Sequence, residues 1–295
     1  MNVFITGAKS GIGLATALRL ARQGPHVFAA VRQPECAIDL RAHAENENLP
    51  LNIIEVDVTD EASVLRAVEQ VTGRAGHIDA LINCAGVSEI GAIEEGSDET
   101  ARRLMETNFL GPLRTIRAVL PGMRNRHSGV IVNVSSLLGR LVISPMGLYA
   151  ASKYAMEAMS EALAQEIRGH GIRVAIVEPG PVITPMLRQH TFMAPPESAY
   201  ADQYRRTAAV LRRMASFRIS PEDVAAVIDE AICTDEPRLR YVVNEDIDGL
   251  LQRRLSMSDE AWLGPDRRLT DDDWFELAEA AMDVDFRPPS QRRAA

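Results

Sequence analysis

Seven short apolar runs, many of them β-branched, recur along the first 245 positions, separated by longer segments with a helical apolar period. That alternation restricts the folds open to the chain more than any other feature. The runs are Asn2–Thr6, His26–Val31, Leu51–Val56, Ala80–Asn83, Gly129–Val134, Ile172–Val177 and Arg240–Val243. They are apolar throughout rather than alternating, as strands covered on both faces are. Helices are expected over Gly11–Arg22, Glu61–Arg74, Glu99–Met123 and Tyr149–Arg168, and Ser220-Pro221-Glu222-Asp223 reads as a capped helix start. Strand-helix alternation demands right-handed crossovers, so the expected fold is α/β, a doubly wound parallel sheet with helices on both faces.

Two regions break the rhythm. Residues 185–219 form an insertion after the sixth strand, rich in Met, Phe, Tyr and Arg. Residues 246–295 form a C-terminal extension with an acidic cluster, Asp271-Asp272-Asp273, expected to be a solvated face, and an end at Arg287-Pro288-Pro289 expected to be disordered. The chain of 295 residues is expected to form one domain over 1–245, with the extension packed on it. A net charge of −9 argues against a nucleic-acid groove, and no apolar stretch is long enough to span a membrane. No basic n-region precedes the first run, so a cytoplasmic location is expected. Cys36, Cys84 and Cys233 form no Cys-x-x-Cys pair; buried reduced thiols are expected, and no metal site.

Thr6-Gly7-Ala8-Lys9-Ser10-Gly11-Ile12-Gly13 follows the first strand and opens the first helix. Glycines there let the backbone approach a pyrophosphate, which then sits at the positive helix N-terminus. At the end of the second strand, where an acid would hold a ribose 2′-hydroxyl, the chain has Val31 followed by Arg32. Without a carboxylate, and with a guanidinium able to grip a 2′-phosphate, NADP(H) is expected over NAD(H); Lys9 is placed to approach the same phosphate. Lys9 and Lys153 are the only lysines among 32 basic residues, which suggests that each stands where a compact ammonium is needed.

Tyr149 and Lys153 are one helical turn apart, on one face. A free phenol near pKa 10 is too weak an acid for efficient proton transfer at neutral pH, and a nearby ammonium is expected to lower it. Ser136 ends the fifth strand in Asn133-Val134-Ser135-Ser136, and Asn108 lies in Thr107-Asn108-Phe109-Leu110-Gly111.

Taken together, these motifs resemble the short-chain dehydrogenase/reductase family from residue 2 to about 245, with features of its 17β-hydroxysteroid and retinol dehydrogenase branch in Arg32-Gln33-Pro34 and Glu178-Pro179-Gly180-Pro181. The resemblance implies a Rossmann-like sheet of seven strands in the order 3-2-1-4-5-6-7 and a substrate lid at 185–219. It implies that Tyr149 is the acid/base, that Ser136 polarises the carbonyl, that Lys153 tunes the tyrosine and holds the nicotinamide ribose, and that the Asn108 carbonyl holds a relay water. Asp57 and Val58 resemble the pair at the adenine. Asn83, Ala85 and Gly86 resemble the family's N-N-A-G, with Cys84 departing from it. Pro179, Gly180, Val182 and Thr184 resemble its nicotinamide turn. The activity implied is hydride transfer between NADP(H) and a carbonyl or secondary alcohol. Met186, Leu187, Phe192, Met193, Tyr200, Tyr204, Met214 and Phe217 suggest a lipophilic small molecule, with His190 more simply solvent-exposed. The family's helices around Asn108 and Tyr149 imply a homodimer or homotetramer. Two alternatives stand beside this reading. A catalytically quiet NADP(H)-binding sensor or scaffold would not need all of Asn108, Ser136, Tyr149 and Lys153. An NAD-linked epimerase or dehydratase is disfavoured by the glycine spacing and by Val31-Arg32.

Overall fold

In a computed structural model of the chain, residues 1–188, 194–214, 219–265 and 269–287 are described. His190, Phe192, Met193 and Phe217, and the chain end from Pro288, lie outside them. Seven strands form one parallel sheet: β1 (Asn2–Thr6), β2 (His26–Val31), β3 (Leu51–Glu55), β4 (Ala80–Asn83), β5 (Gly129–Val134), β6 (Ile172–Glu178) and β7 (Arg240–Val242). The order is β3-β2-β1-β4-β5-β6-β7, with every neighbouring pair parallel. The chain reverses direction across the sheet between β1 and β4, and their carboxyl ends therefore open a crevice.

Side chains of each strand alternate between two cores. Phe4, Phe28, Leu81 and Ile131 face one side with Val64, Val71, Ile116 and Met123 from α3 (Glu61–Ala75) and α5 (Gly111–Arg126). Ile5, Ala29 and Ile82 face the other, with Leu20 from α1 (Gly11–Arg22) and Ile228 from α9 (Pro221–Cys233). All four side chains of the first group on the strands are fully buried, each contributing about 1.5–3 kcal/mol. A short helix α2 (Ile38–Asn46) follows β2. The start of α9 is a reciprocal cap: Asp223 N–H donates to Ser220 Oγ at 3.1 Å and Ser220 N–H to Asp223 Oδ2 at 2.8 Å.

Strand bounds match the expected ones within a residue at β3, β6 and β7 and fully elsewhere. The helix expected over Glu99–Met123 is instead three pieces: α4 (Asp98–Met105), a π-helical stretch over Glu106–Leu110, and α5. Pro112 has no N–H for the Asn108 carbonyl, so regular helical bonding fails there. The helix carrying Tyr149, α6, spans Gly147–Glu166.

The insertion contains α7 (Pro185–Arg188) and α8 (Ala201–Met214). The extension forms α10 (Glu245–Ser256), α11 (Asp259–Leu263) and α12 (Asp271–Met282), and its Ile247, Leu251, Phe275 and Phe286 are buried in the same core as α1 and α9. Its acidic cluster is not the expected solvated face. Asp271 pairs with Arg205 at 2.7 Å and Arg206 at 3.0 Å, Asp273 caps α12 through Thr270, and only Asp272 is exposed. Among the described residues no helix is long and apolar enough to cross a membrane. Cys36 and Cys233 are exposed, contrary to the expectation of buried thiols, because they fall on a surface 3-10 turn and at the last residue of α9.

Candidate active site

The turn after β1 has no room for a side chain at Gly7 or at Gly13. Gly7 has φ +73°, and a Cβ on it would lie 2.7 Å from the Ala85 backbone. A Cβ on Gly13 would lie 2.3 Å from the Gly7 carbonyl oxygen, so α1 rests directly on the turn. The Thr6 hydroxyl, buried, accepts the N–H groups of Cys84 and Ala85, both at 3.2 Å, and ties the β1 and β4 ends together. Ser10 is the N-cap of α1 but its side chain accepts no cap hydrogen bond. The first N–H groups of α1 thus face the crevice without a side-chain acceptor, at the positive end of the helix dipole, which suits a phosphate.

One cleft of about 1520 Å³, its open mouth included, runs from this turn across the carboxyl ends of the strands. Gly7, Ser10, Gly11, Ile12 and Gly13 line one end, and Ala85, Gly86, Ser136, Tyr149, Lys153, Pro179, Gly180, Val182 and Thr184 line the middle. The remaining cofactor candidates stand apart from the cleft lining. Lys9, in the turn after β1, and Arg32, next to a buried Val31 at the end of β2, are exposed. Asp57 accepts the N–H and hydroxyl of Thr59 at 2.9 and 2.7 Å. Burial raises its pKa, but the two Thr59 bonds, helped by the charges of Arg32 and Arg114, outweigh it and hold the carboxyl below its usual range. Val58 packs where a Cβ on Gly111 would lie 3.0 Å away. Asn83 is turned into the interior: Thr115 donates to its Oδ1 at 2.6 Å and its Nδ2 donates to Asn133 at 2.9 Å, a chain that continues to Ser160.

Tyr149 and Lys153 project from α6, with the ammonium 5.9 Å from the centre of the phenol ring. Lys153 is buried and donates to the Val134 carbonyl at 2.9 Å. Burial pulls its pKa down to about 8, with Cys84 and Glu157 pulling the other way. Lys153 is not among the influences that set the Tyr149 phenol, contrary to the expected depression. Burial pushes the phenol up to about 12, and a hydrogen bond with Ser136 is the opposing influence. Ser136 also accepts the Leu138 N–H at 3.1 Å. Its neighbour Ser135 instead has a buried hydroxyl with no hydrogen bond, against Gly139.

Asn108 is wholly buried and works through its amide. Its Oδ1 accepts the Val87 N–H at 2.9 Å, and its Nδ2 donates to the Val87 carbonyl at 2.8 Å and to Ser152 at 2.9 Å. Ser152 in turn donates to the Tyr149 carbonyl at 2.7 Å. The π-helical stretch therefore fastens the loop after β4 to the helix that carries the tyrosine. A Cβ on Gly86 would lie 3.4 Å from Asn108 Oδ1 and 3.9 Å from Lys153 Nζ, so these groups converge.

Several residues of the site carry no motif. Cys84 lines the cleft, and burial pushes its thiol up to about 12, so it is no nucleophile as it stands. Behind Lys153, two buried carboxylates, Glu157 and Glu178, share Arg240 at 3.1 and 3.4 Å, with Arg140 3.5 Å from Glu178. Burial and then Glu157 raise Glu178 to about 7 against the two guanidinium groups. Leu250, Trp262 and Met282 from the extension line the substrate end of the cleft. Met186, Leu187 and Met214 line it as expected, but Tyr200 and Tyr204 do not: their hydroxyls donate to Glu94 and Glu95 of the loop before α4.

The family model for short chain dehydrogenases matches residues 1–193. The chain is similar to a 3-ketodihydrosphingosine reductase of Bacteroides thetaiotaomicron, 34% identical, over 90% of this chain and 94% of the relative. It is 36% identical to retinol dehydrogenase 8 of Bos taurus over 82% of this chain and 81% of that one. The crystal structure of a short-chain dehydrogenase from Streptomyces avermitilis superimposes with a TM-score of 0.76 at 35% identity, covering 86% of this chain and 92% of the other. The chain belongs to the short-chain dehydrogenase/reductase family. It is an NAD(P)-dependent oxidoreductase acting on CH–OH groups and their carbonyl counterparts.

Proposed function

We propose that the protein is an NADP(H)-dependent ketone reductase or alcohol dehydrogenase for a lipophilic substrate, with Tyr149 as its general acid/base. The observation that carries this reading is the meeting of Ser136, Tyr149 and Lys153 in the same cleft as the uncapped start of α1. When bound, the nicotinamide supplies or accepts the hydride. The glycine-walled turn and the α1 N-terminus would hold its pyrophosphate. The absence of an acid at Val31, with Arg32 and Lys9 both exposed at that end, supports NADP(H).

The Ser136 hydroxyl would orient a substrate carbonyl oxygen and stabilise the charge that develops on it. A phenol held well above neutral is fully protonated, which is the form needed to donate a proton to that oxygen. Lys153 is the one charged side chain lining the cleft among the described residues; its ammonium offsets the cost of leaving a phenolate behind. Asn108 positions α6 through Ser152, and its carbonyl, which Pro112 cannot satisfy, would hold a water that returns the proton. The apolar substrate end and the names of the two relatives, a 3-ketodihydrosphingosine reductase and a retinol dehydrogenase, support a lipophilic substrate.

Tyr149→Phe tests this reading. With NADPH and a panel of steroidal, aromatic and aliphatic ketones, kcat is expected to fall by ~10³-fold or more, about 4 kcal/mol, with the Kd for NADPH within a few-fold of the parent's. Turnover like the parent's would overturn the assignment.

A further inference from the structure

Resting on the carbonyl-reductase reading above, we infer that the C-terminal extension is part of the substrate site: Leu250, Trp262 and Met282 form its far wall and select a carbonyl compound whose distal portion is an uncharged apolar chain.

The three side chains come from three different helices, α10, α11 and α12, yet all open on the cleft that holds Ser136 and Tyr149. The wall they make is fixed in place. The Arg254 guanidinium lies 5.2 Å from the Trp262 ring and pairs with Asp259 at 2.7 Å, which anchors the indole on α11. Asp271 at the start of α12 receives Arg205 and Arg206 from α8, and Arg206 also donates to the Leu269 carbonyl at 2.8 Å and stacks 5.8 Å from Trp274. On the opposite side Tyr204 accepts the Ala92 N–H at 3.1 Å and donates to Glu95 at 2.8 Å. Held from both sides, α8 contributes Leu211 and Met214 to the same wall.

Charge then decides what can lie against it. Among the described residues Lys153 is the only charged side chain lining the cleft, and it sits at the reacting end. The distal wall offers methyl and methylene groups, a thioether pair and one indole. A carboxylate or phosphate placed there would lose its water without gaining a charged partner among the described lining residues. Each methylene placed there instead gains from leaving water. Affinity should therefore rise with the length of a neutral chain and collapse when that chain ends in an anion.

The chain contains two tryptophans, and Trp274 does not line the cleft, so Trp274→Phe leaves Trp262 as the sole reporter. This variant is titrated with butan-2-one, undecan-2-one and 10-oxoundecanoate while Trp262 fluorescence is read, and NADPH oxidation is measured with the same three compounds. A saturable Trp262 response is expected with undecan-2-one, none with butan-2-one, and at least ~30-fold weaker binding of the oxo-acid. In the parent background Trp262→Ala and Met282→Ala should each lower kcat/KM for undecan-2-one by ~10-fold or more, and by a larger factor than for butan-2-one. Equal binding of the oxo-acid, or a silent Trp262 with both ketones turned over, overturns the inference and leaves the reductase reading standing. A Trp262 response without turnover of any ketone does the reverse. Should an alanine variant fail to fold, the fluorescence titration still decides.

Discussion

The nucleotide end of the cleft is made of turns that each directly follow a sheet strand, whereas the substrate end is gathered from α7, from α8 and from three helices lying beyond the last strand. At the first end, geometry is fixed by backbone against backbone: Gly7 against Ala85, Gly13 against the Gly7 carbonyl, Thr6 across to β4. At the second, it is fixed by side chains meeting over long sequence distances, such as Arg206 with Asp271 and Tyr204 with Glu95. A backbone-made site admits few residue types and so leaves a motif. A side-chain-made wall can be built in many ways, and leaves none. The first kind of construction serves a ligand that never changes, the second a ligand that differs between members of one fold.

The largest expected effect tests the first half. Gly13→Ala would favour α1 by about 1 kcal/mol on helix propensity alone. The new Cβ, however, would meet a carbonyl oxygen at 2.3 Å, and that oxygen belongs to backbone which cannot rotate away. The turn must therefore shift, and Kd for NADPH is expected to rise by ~100-fold, about 2.7 kcal/mol, as read by nucleotide fluorescence titration. An unchanged Kd would mean that the turn is not where the nucleotide's phosphates bind.

The same contrast explains what could be read from the sequence. Strand runs and glycine turns are local, so β1, β2, β4 and β5 were legible to the residue, as was the spacing that brings Ser136, Tyr149 and Lys153 together. What was not legible depends on packing. Asn83 looked like a cofactor residue, but its neighbours Thr115 and Asn133 consume its amide. Lys153 read as a charge set against Tyr149 alone, but it also donates to the Val134 carbonyl, and burial is what raises the phenol. Glu157 is one helical turn beyond Lys153, yet nothing local announces that it shares Arg240 with Glu178. For Trp262 and Met282 no periodicity could have pointed to the cleft, because their approach depends on how α11 and α12 pack onto α8 and α10.

An intermediate effect sharpens the nucleotide half. Val31→Asp combined with Arg32→Ala places an acid at the end of β2 and removes the exposed guanidinium. Exchanging a charge-assisted hydrogen bond for a repulsion of similar size should lower the NADPH-over-NADH ratio of kcat/KM by ~10- to 100-fold, about 1.4–2.8 kcal/mol. A ratio that does not move would overturn the assignment of the 2′-phosphate contact to this end of β2.

The smallest effect tests whether the two halves are separable. Asp271→Ala removes the carboxylate shared by Arg205 and Arg206, and the Arg206 side chain, only 9% exposed, is left with the Leu269 carbonyl and the Trp274 ring. Losing one partner of a partly buried pair is expected to cost about 1–3 kcal/mol, and for a chain of this size roughly 2–4 °C in Tm per kcal/mol. Because α8 and α12 both wall the substrate end, KM for a long neutral ketone should rise a few-fold in calorimetry-matched samples, while Kd for NADPH stays put. If instead the nucleotide Kd rises in step with KM, the clasp acts on the whole cleft, and its two ends are one mechanical unit in spite of their different construction.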